Sequence, residues 1–243
     1  MIRGLYSAAT ALNVADQNHE VVADNLAHLN VPGYRKHGVA FQTFDRALSD
    51  ATGTNSSEGI KGTQVAKHYR NFETGPVEFT GNPLDVTVNG SSFFVIQGPN
   101  GPLYTRNGTF MLGPNGQLQT KDGRAVTGTG GGVITIPPSA AEIAIGKDGT
   151  ISADGIRIGQ LQLASFPDPN ALVPVGTTLF AAANGVQPQT GTGTVQQGYR
   201  EGANVKVVNE MVSMIAGMRH SESAQRALRS LSDTLQLSTR PQG

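Results

Sequence analysis

Cysteine and tryptophan are both missing from the sequence, and charged residues make up only 15% of it. The absence of cysteine excludes disulfide bonds, thiolate catalysis and cysteine-based zinc sites. Lysine plus arginine equals aspartate plus glutamate at 18 each, so no net charge favours nucleic acid or an anionic membrane as a partner. These deficits exclude several classes of site before any motif is considered.

Long hydrophobic runs are missing as well. No window approaches the roughly 18 apolar residues of a transmembrane helix, so we expect no membrane insertion. The first twenty residues contain a single arginine and only short apolar stretches, which is unlike a cleavable signal peptide. We therefore expect no cleavable signal.

Turn-forming residues are abundant instead, with 31 glycines and 13 prolines among 243 residues. Asn-Gly or Asp-Gly dipeptides, which favour tight hairpin turns, recur from Asn89-Gly90 to Asn184-Gly185. The β-prone runs between them are 84–88, 93–96, 103–105, 109–112, 117–120, 156–158 and 160–166. This pattern predicts an antiparallel β domain over residues 81–185.

The two ends of the chain have helical periodicity. A stripe with alternating spacings of three and four predicts a helix from residue 2 to about 29, stopped by Pro32-Gly33: Leu5, Ala8, Leu12, Ala15, His19, Val22, Leu26 and Leu29. At the other end, Asn204 is expected to cap a helix that runs to about Leu237. Its stripe is Val208, Met211, Ile215 and Met218, followed by Ala224, Leu228, Leu231 and Leu235. The six-residue step from Met218 to Ala224 predicts a shifted seam or a bend.

These elements predict an α+β fold, with a central antiparallel β domain inserted between terminal helices that pair into a coiled-coil-like unit. We expect an N-terminal helix of an assembly domain over 1–34, an extended arm or linker over 35–80, a linker over 186–203 and a C-terminal helix over 204–240.

Narrow apolar stripes gain stability mainly by packing against a partner, so the terminal helices predict self-association. The proposed contacts are Leu5, Leu12, Val22 and Leu26 with Met211, Ile215, Leu228 and Leu231, within or between subunits. Met218, Leu235, Asn25, Asn30 and Gly33 complete the predicted assembly interface. Asn25 and Asn30 are expected to hydrogen-bond backbone groups near the Pro-Gly turn, either locally or across to a neighbour.

Catalytic and cofactor motifs are not found. No His-x-x-x-His spacing indicates a metal site, and the loop Gly128–Gly132 lacks the Gly-Lys-Ser/Thr of a phosphate loop. No serine lies in a nucleophile-elbow pattern. We therefore expect no enzyme activity, no metal and no cofactor, while a monomeric glycan-binding β module remains an alternative to a structural subunit.

Three sequence blocks stand out in order along the chain. The first is Ala23–Arg35, the second combines Thr80–Val86, Gly90–Val95 and Tyr104–Phe110, and the third combines Asn204–Lys206 with Glu210–Ile215. Together these blocks span the chain, and they resemble the flagellar rod and hook axial proteins. The first block is similar to that family's Asn-Asn-Leu-Ala-Asn and Thr-Pro-Gly-Tyr-Lys signature, with Asp24, His28 and Val31 as departures.

The resemblance implies a structural subunit of the flagellar basal-body rod, which spans the periplasm. It implies partners among copies of itself and other rod and hook axial proteins, and export through the flagellar type III apparatus. The run Met218–Glu222 differs from the Gln-Arg-Ala-Tyr-Glu of many members and is closer to proximal-rod subunits. Met1–Tyr6 is closer to distal-rod subunits, which remain the alternative.

Overall fold

The structure is a computed structural model that describes residues 2–43 and 63–239. The chain divides into two compact units. The first takes its described residues from Met1–Ala27, Lys36–Asn71 and Val205–Gly243, and the second consists of His28–Arg35 and Phe72–Asn204.

The first unit contains two long helices and one pair of strands. Helix α1 is Ile2–Ala27, strand β1 is His37–Thr43, strand β2 is Thr63–Arg70 and helix α2 is Val207–Thr239. The helices pack against each other, and α1 also contacts both strands. Strands β1 and β2 are antiparallel, with a bulge between Ala40 and Phe41. The coiled-coil character of the helix pair remains a prediction.

The second unit is built from short strands. They are β3 Val77–Phe79, β4 Val86–Asn89, β5 Phe93–Gly98, β6 Gly101–Thr105, β7 Phe110–Leu112, β8 Leu118–Thr120, β9 Ile143–Ile145, β10 Thr150–Ala153, β11 Ile156–Gln160, β12 Leu163–Ser165, β13 Leu172–Pro174, β14 Leu179–Ala182, β15 Gln189–Thr190, β16 Thr194–Gln197 and β17 Tyr199–Glu201. The largest sheet has the order β13-β14-β6-β5-β12-β15. A three-stranded sheet β11-β10-β9 and the pairs β16-β4, β17-β3 and β7-β8 complete it, all antiparallel.

Strand β5 separates the two hydrophobic cores of this unit. Successive side chains of a strand point to opposite faces, so Phe94 and Ile96 enter one core while Phe93 and Val95 enter the other. The second core is aromatic, and Phe93 meets Phe166 edge to face at a centroid distance of 6.0 Å. Both faces of β5 are covered over its first four residues, and Phe93–Ile96 is accordingly a continuous apolar run.

The predicted α+β class is confirmed, and every predicted β-prone run overlaps a strand. The segment 35–80, predicted as an extended arm or linker, contains β1, β2 and β3, and the segment 186–203, predicted as a linker, contains β15, β16 and β17. Strands β16 and β17 pair with β4 and β3, more than a hundred residues earlier in the chain. Local periodicity does not reveal strands whose partners are so distant in sequence.

Candidate assembly surface

The buried side chain of Asn25 joins the end of α1 to the start of β1 within the first unit. Its Nδ2 donates to the His37 carbonyl oxygen at 2.9 Å, and its Oδ1 accepts from the His37 backbone N–H at 2.8 Å. The amide thus pairs with a backbone residue in the way that a neighbouring strand would. Asn25 is fully buried, and these hydrogen bonds join it to the backbone of His37 within the same chain.

Glu210 brings the first turn of α2 to the same place. Its Oε2 lies 3.4 Å from Asn25 Nδ2, and its Oε1 accepts from Lys36 Nζ. Glu210 is buried, and a buried carboxylate is tolerated when it is paired with a cation and hydrogen-bonded. Lys36 and Glu210 were not among the predicted site residues. The single acidic residue in the mostly apolar segment 205–215 was a signal that could have identified Glu210, whereas no local signal pointed to Lys36.

In the second unit, the Pro-Gly turn is held by a buried charge cluster. Arg35 NH2 lies 2.6 Å from Glu201 Oε1, and Arg106 Nε lies 3.7 Å from Glu201 Oε2. The three side chains are 0%, 1% and 2% exposed in the order Arg35, Arg106 and Glu201. Glu201 Oε1 also accepts from the Gly75 backbone N–H at 2.9 Å. One carboxylate therefore compensates two buried guanidinium groups.

Arg106 has further partners that explain how a second buried cation is accommodated. Its NH1 donates to the Val88 carbonyl at 2.9 Å, its NH2 donates to the Gly90 carbonyl, and its guanidinium lies 5.6 Å from the centre of the Phe93 ring. Burial lowers the pKa of Arg106 to about 10, with the charge of Glu201 raising it and that of Arg35 lowering it. The group is still a cation near neutral pH.

Gly33 lies where this turn approaches the backbone of the second unit. Its φ is +71°, and a Cβ at this position would lie 2.3 Å from the Asn107 backbone nitrogen. Its N–H donates to the Glu201 carbonyl at 2.8 Å. Within the same turn, His28 stacks on Tyr34 at a centroid distance of 5.0 Å, which gives this departure from the family signature a packing role. Asn30 is exposed and makes no side-chain hydrogen bond among the described residues.

Helix α2 begins at Val207 and not at Asn204. Asn204 instead belongs to the second unit, where its Nδ2 donates to the Glu73 carbonyl at 2.9 Å. The predicted capping role of Asn204 is therefore wrong. Its hydrogen-bonding capacity is used by the chain before the helix.

The covered side of α2 is one unbroken line with spacings of three and four. Its members are buried or half-buried: Val207, Glu210, Met214, Gly217, Ser221, Ala224, Leu228 and Leu231. The predicted stripe joined two different sides of the helix, because Ile215 and Ala224 are nine residues apart and lie about 180° from each other around the axis. The six-residue step is thus a change of side, and α2 is a single helix without interruption.

A second side of the first half of α2, next to this line around the helix axis, is apolar and exposed. We call it the outer apolar face, and it consists of Val208, Met211, Val212, Ile215 and Met218. These side chains are 45–72% exposed. Exposed apolar residues grouped on one helix face mark an interaction surface more often than scattered ones do.

The remaining predicted interface residues are distributed between the two units. Leu12, Leu26, Leu228 and Leu231 are half-buried in the first unit, where Val22 is buried; Gly33 is buried in the second. The side chains of Leu5 and Leu235 lie outside the described residues. Asn25 and Gly33 therefore hold the local structure, whereas Met211, Ile215, Met218 and Asn30 are the members with exposed surface.

Within residues 2–43 and 63–239, no helix is long and apolar enough to cross a membrane. The same part of the chain has no group of three or more histidine, cysteine, aspartate or glutamate side chains arranged to hold a metal ion.

Three family descriptions match consecutive parts of the chain. Residues 5–35 match the flagella basal body rod protein family. Residues 87–153 match the D1 domain of the flagellar hook proteins FlgE, FlgF and FlgG, and residues 196–240 match the C-terminal region of the FlgEFG basal body rod proteins.

Curated relatives match over nearly the whole length. The chain is 31% identical to the flagellar basal-body rod protein FlgF of Caulobacter vibrioides, over 94% of this chain and 93% of the relative. It is also 31% identical to FlgG of Buchnera aphidicola subsp. Schizaphis graminum, over 97% and 98%, and 29% identical to FlgG of Bacillus subtilis, over 97% of each. The chain therefore belongs to the flagellar basal-body rod protein family.

Proposed function

We propose that this chain is a non-enzymatic structural subunit of the bacterial flagellar rod, which polymerises through its terminal helices into the torque-transmitting shaft. The observation that carries the assembly role is the outer apolar face of α2. A helix of a monomeric protein normally presents polar residues to water, whereas Val208, Met211, Val212, Ile215 and Met218 are exposed together.

Polymerisation buries this face against a neighbouring subunit. Each Å² of apolar surface removed from water contributes about 25 cal/mol to the free energy of association. One contact made by five large side chains is therefore weak, whereas many such contacts along an assembly stabilise it strongly. Contacts between different surfaces of like subunits generate helical assemblies. The surface is suited to a shaft of many repeated contacts.

The predicted interface residues divide accordingly. We propose that Met211, Ile215 and Met218 contact a neighbouring subunit, with Asn30 as a polar contact. Leu12, Val22, Leu26, Leu228 and Leu231 support the helices, and Asn25 and Gly33 hold the backbone near the end of α1. Contacts by Leu5 and Leu235 remain predictions.

We propose the proximal rod as the location in the basal body, on the departure at Met218–Glu222, with the distal rod as the alternative. Relatives named FlgF and FlgG are equally similar at 31%, so similarity alone does not separate the two. The partners on this proposal are other axial proteins of the rod and hook, and export uses the flagellar type III apparatus. Complementation of strains lacking one or the other subunit distinguishes the locations, because only the matching deletion regains complete rods.

The assembly role is tested with Ile215→Asp, which places a charge in the outer apolar face. We expect loss of self-association in sedimentation velocity and loss of motility, with unchanged helix content in circular dichroism because Ile215 is already exposed. Gln225→Asp is the matched control, since it adds the same charge at an exposed position of α2 outside that face. Normal association of Ile215→Asp, or a wild-type chain that stays monomeric and binds a glycan, would count against the proposal.

A further inference from the structure

Two histidines meet on one face of the β1–β2 pair in the first unit. In the register, His37 lies opposite Arg70 and Val39 lies opposite His68, so His37 and His68 are diagonal neighbours on the same face. His37 Nε2 and His68 Nδ1 are 3.2 Å apart, and the ring centroids are 5.2 Å apart. Sequence spacing did not reveal this pair because its members are 31 residues apart.

The nitrogen separation suits chelation of a metal ion. Zinc binds imidazole nitrogen at about 2.0–2.1 Å in tetrahedral sites. Two nitrogens 3.2 Å apart, each at that bond length, subtend about 100° at the metal, close to the tetrahedral angle. One ion that replaces the hydrogen bond between these nitrogens can therefore bind both of them, and the proton of that bond moves to the other nitrogen of its ring or to water.

Asp24 on α1 provides a second, independent indication. Its Oδ2 lies 4.0 Å from His37 Nδ1, on the ring nitrogen that does not face His68. Metal-binding histidines characteristically direct their second ring nitrogen to a carboxylate, which selects the tautomer and orients the ring. At 4.0 Å the contact is longer than a hydrogen bond, so Asp24 acts on His37 through its negative charge, which favours a proton on Nδ1 over one on Nε2.

We propose that His37 and His68 bind one divalent late transition-metal ion of the zinc class, with water in the remaining positions. Imidazole is a favoured ligand for zinc, nickel and copper. The positive charge of Arg70 opposes the ion, so we expect a lower affinity than that of a closed structural site with four protein ligands. The bound ion links β1 to β2 and adds stability by closing the chain between them.

The direct test is calorimetric titration of the full chain with zinc chloride near neutral pH. We expect one ion per chain, and we expect His37→Gln and His68→Gln each to weaken binding by about tenfold or more. His220→Gln is the matched control because His220 is an exposed histidine on α2. Absence of zinc binding by the wild type, or wild-type affinity in either single variant, would overturn the proposal.

A variant that is expected to bind zinc more tightly gives a second test, because a misfolded protein would not gain zinc affinity. Arg70→His places a third imidazole opposite His37 and beside His68 on the same face. Arg70→Gln removes only the charge. We expect zinc to bind more tightly to Arg70→His than to Arg70→Gln, and to raise its melting temperature more. Equal affinities of the two variants would contradict the proposed position of the ion.

Discussion

Gly33 is a position where a single methyl group has two separate costs. Its φ of +71° is unfavourable for any L-residue with a Cβ, and that Cβ would lie 2.3 Å from a backbone nitrogen. We expect Gly33→Ala to lower the free energy of unfolding by more than about 2 kcal/mol, measured by urea denaturation.

The matched control for Gly33 is Gly123→Ala. Gly123 has a similar φ of +76°, but nothing lies within 4 Å of a Cβ there. Its expected cost is about 1–2 kcal/mol, from backbone conformation alone. Equal losses in the free energy of unfolding of the two variants would show that the close approach to Asn107 does not add to the cost at Gly33.

Glu201 pairs with both Arg35 and Arg106. Glu201→Gln removes the negative charge that these two buried guanidinium groups share, so we expect a loss of about 3–5 kcal/mol in the free energy of unfolding. Glu78→Gln, which breaks the exposed pair with Arg200, is expected to cost less than about 1 kcal/mol. A Glu201→Gln chain as stable as Glu78→Gln would contradict the role of the charge cluster. Urea denaturation of both variants measures the difference.

At the scale of the element, the covered line and the outer apolar face of α2 have different roles. Leu228 lies on the covered line and Val208 on the outer apolar face. We expect Leu228→Ala to lower the stability of the helices by about 1 kcal/mol or more, and Val208→Ala to leave it within about 0.5 kcal/mol. Thermal melting followed by circular dichroism at the helix band measures both. A larger loss of stability for Val208→Ala than for Leu228→Ala would contradict the assignment of the covered side of α2.

The buried side of α2 is not the side that its apolar residues indicate. Apolar residues in the first half of α2 lie mostly on the exposed side, while Glu210, Gly217 and Ser221 lie on the covered side. A covered glutamate is acceptable only because Lys36 and Asn25 reach it, and these partners are far away in the sequence. Hydrophobic periodicity located the helix correctly but could not identify which side is covered.

At the scale of the whole molecule, the second unit contains its own cores. Both hydrophobic clusters and the Arg35–Glu201–Arg106 cluster lie entirely within 28–35 and 72–204. We expect a fragment of residues 28–204 to keep its β circular dichroism and to remain monomeric in sedimentation velocity, while the full chain associates. A fragment that unfolds, or that associates as the full chain does, would contradict this division of roles.

Much of the architecture followed from the sequence alone. Terminal heptad spacing, the turn dipeptides and the apolar runs are local signals, and each reports on residues that are close in the chain. They were sufficient for the α+β class, for both helices and for the strands from β4 to β8. The three blocks that resemble the rod and hook proteins were also local, and the family comparisons confirm that resemblance.

Only the tertiary structure decided which residues the terminal helices bury and which they expose. The pairing of β3 with β17, the sharing of Glu201 by two arginines and the meeting of His37 with His68 each join residues more than thirty positions apart. Their energies depend on burial and on distance in space, neither of which a single sequence records. The sequence thus determined the fold class, both helices, the strands from β4 to β8 and the family, and the folded chain determined that the apolar residues from Val208 to Met218 are exposed.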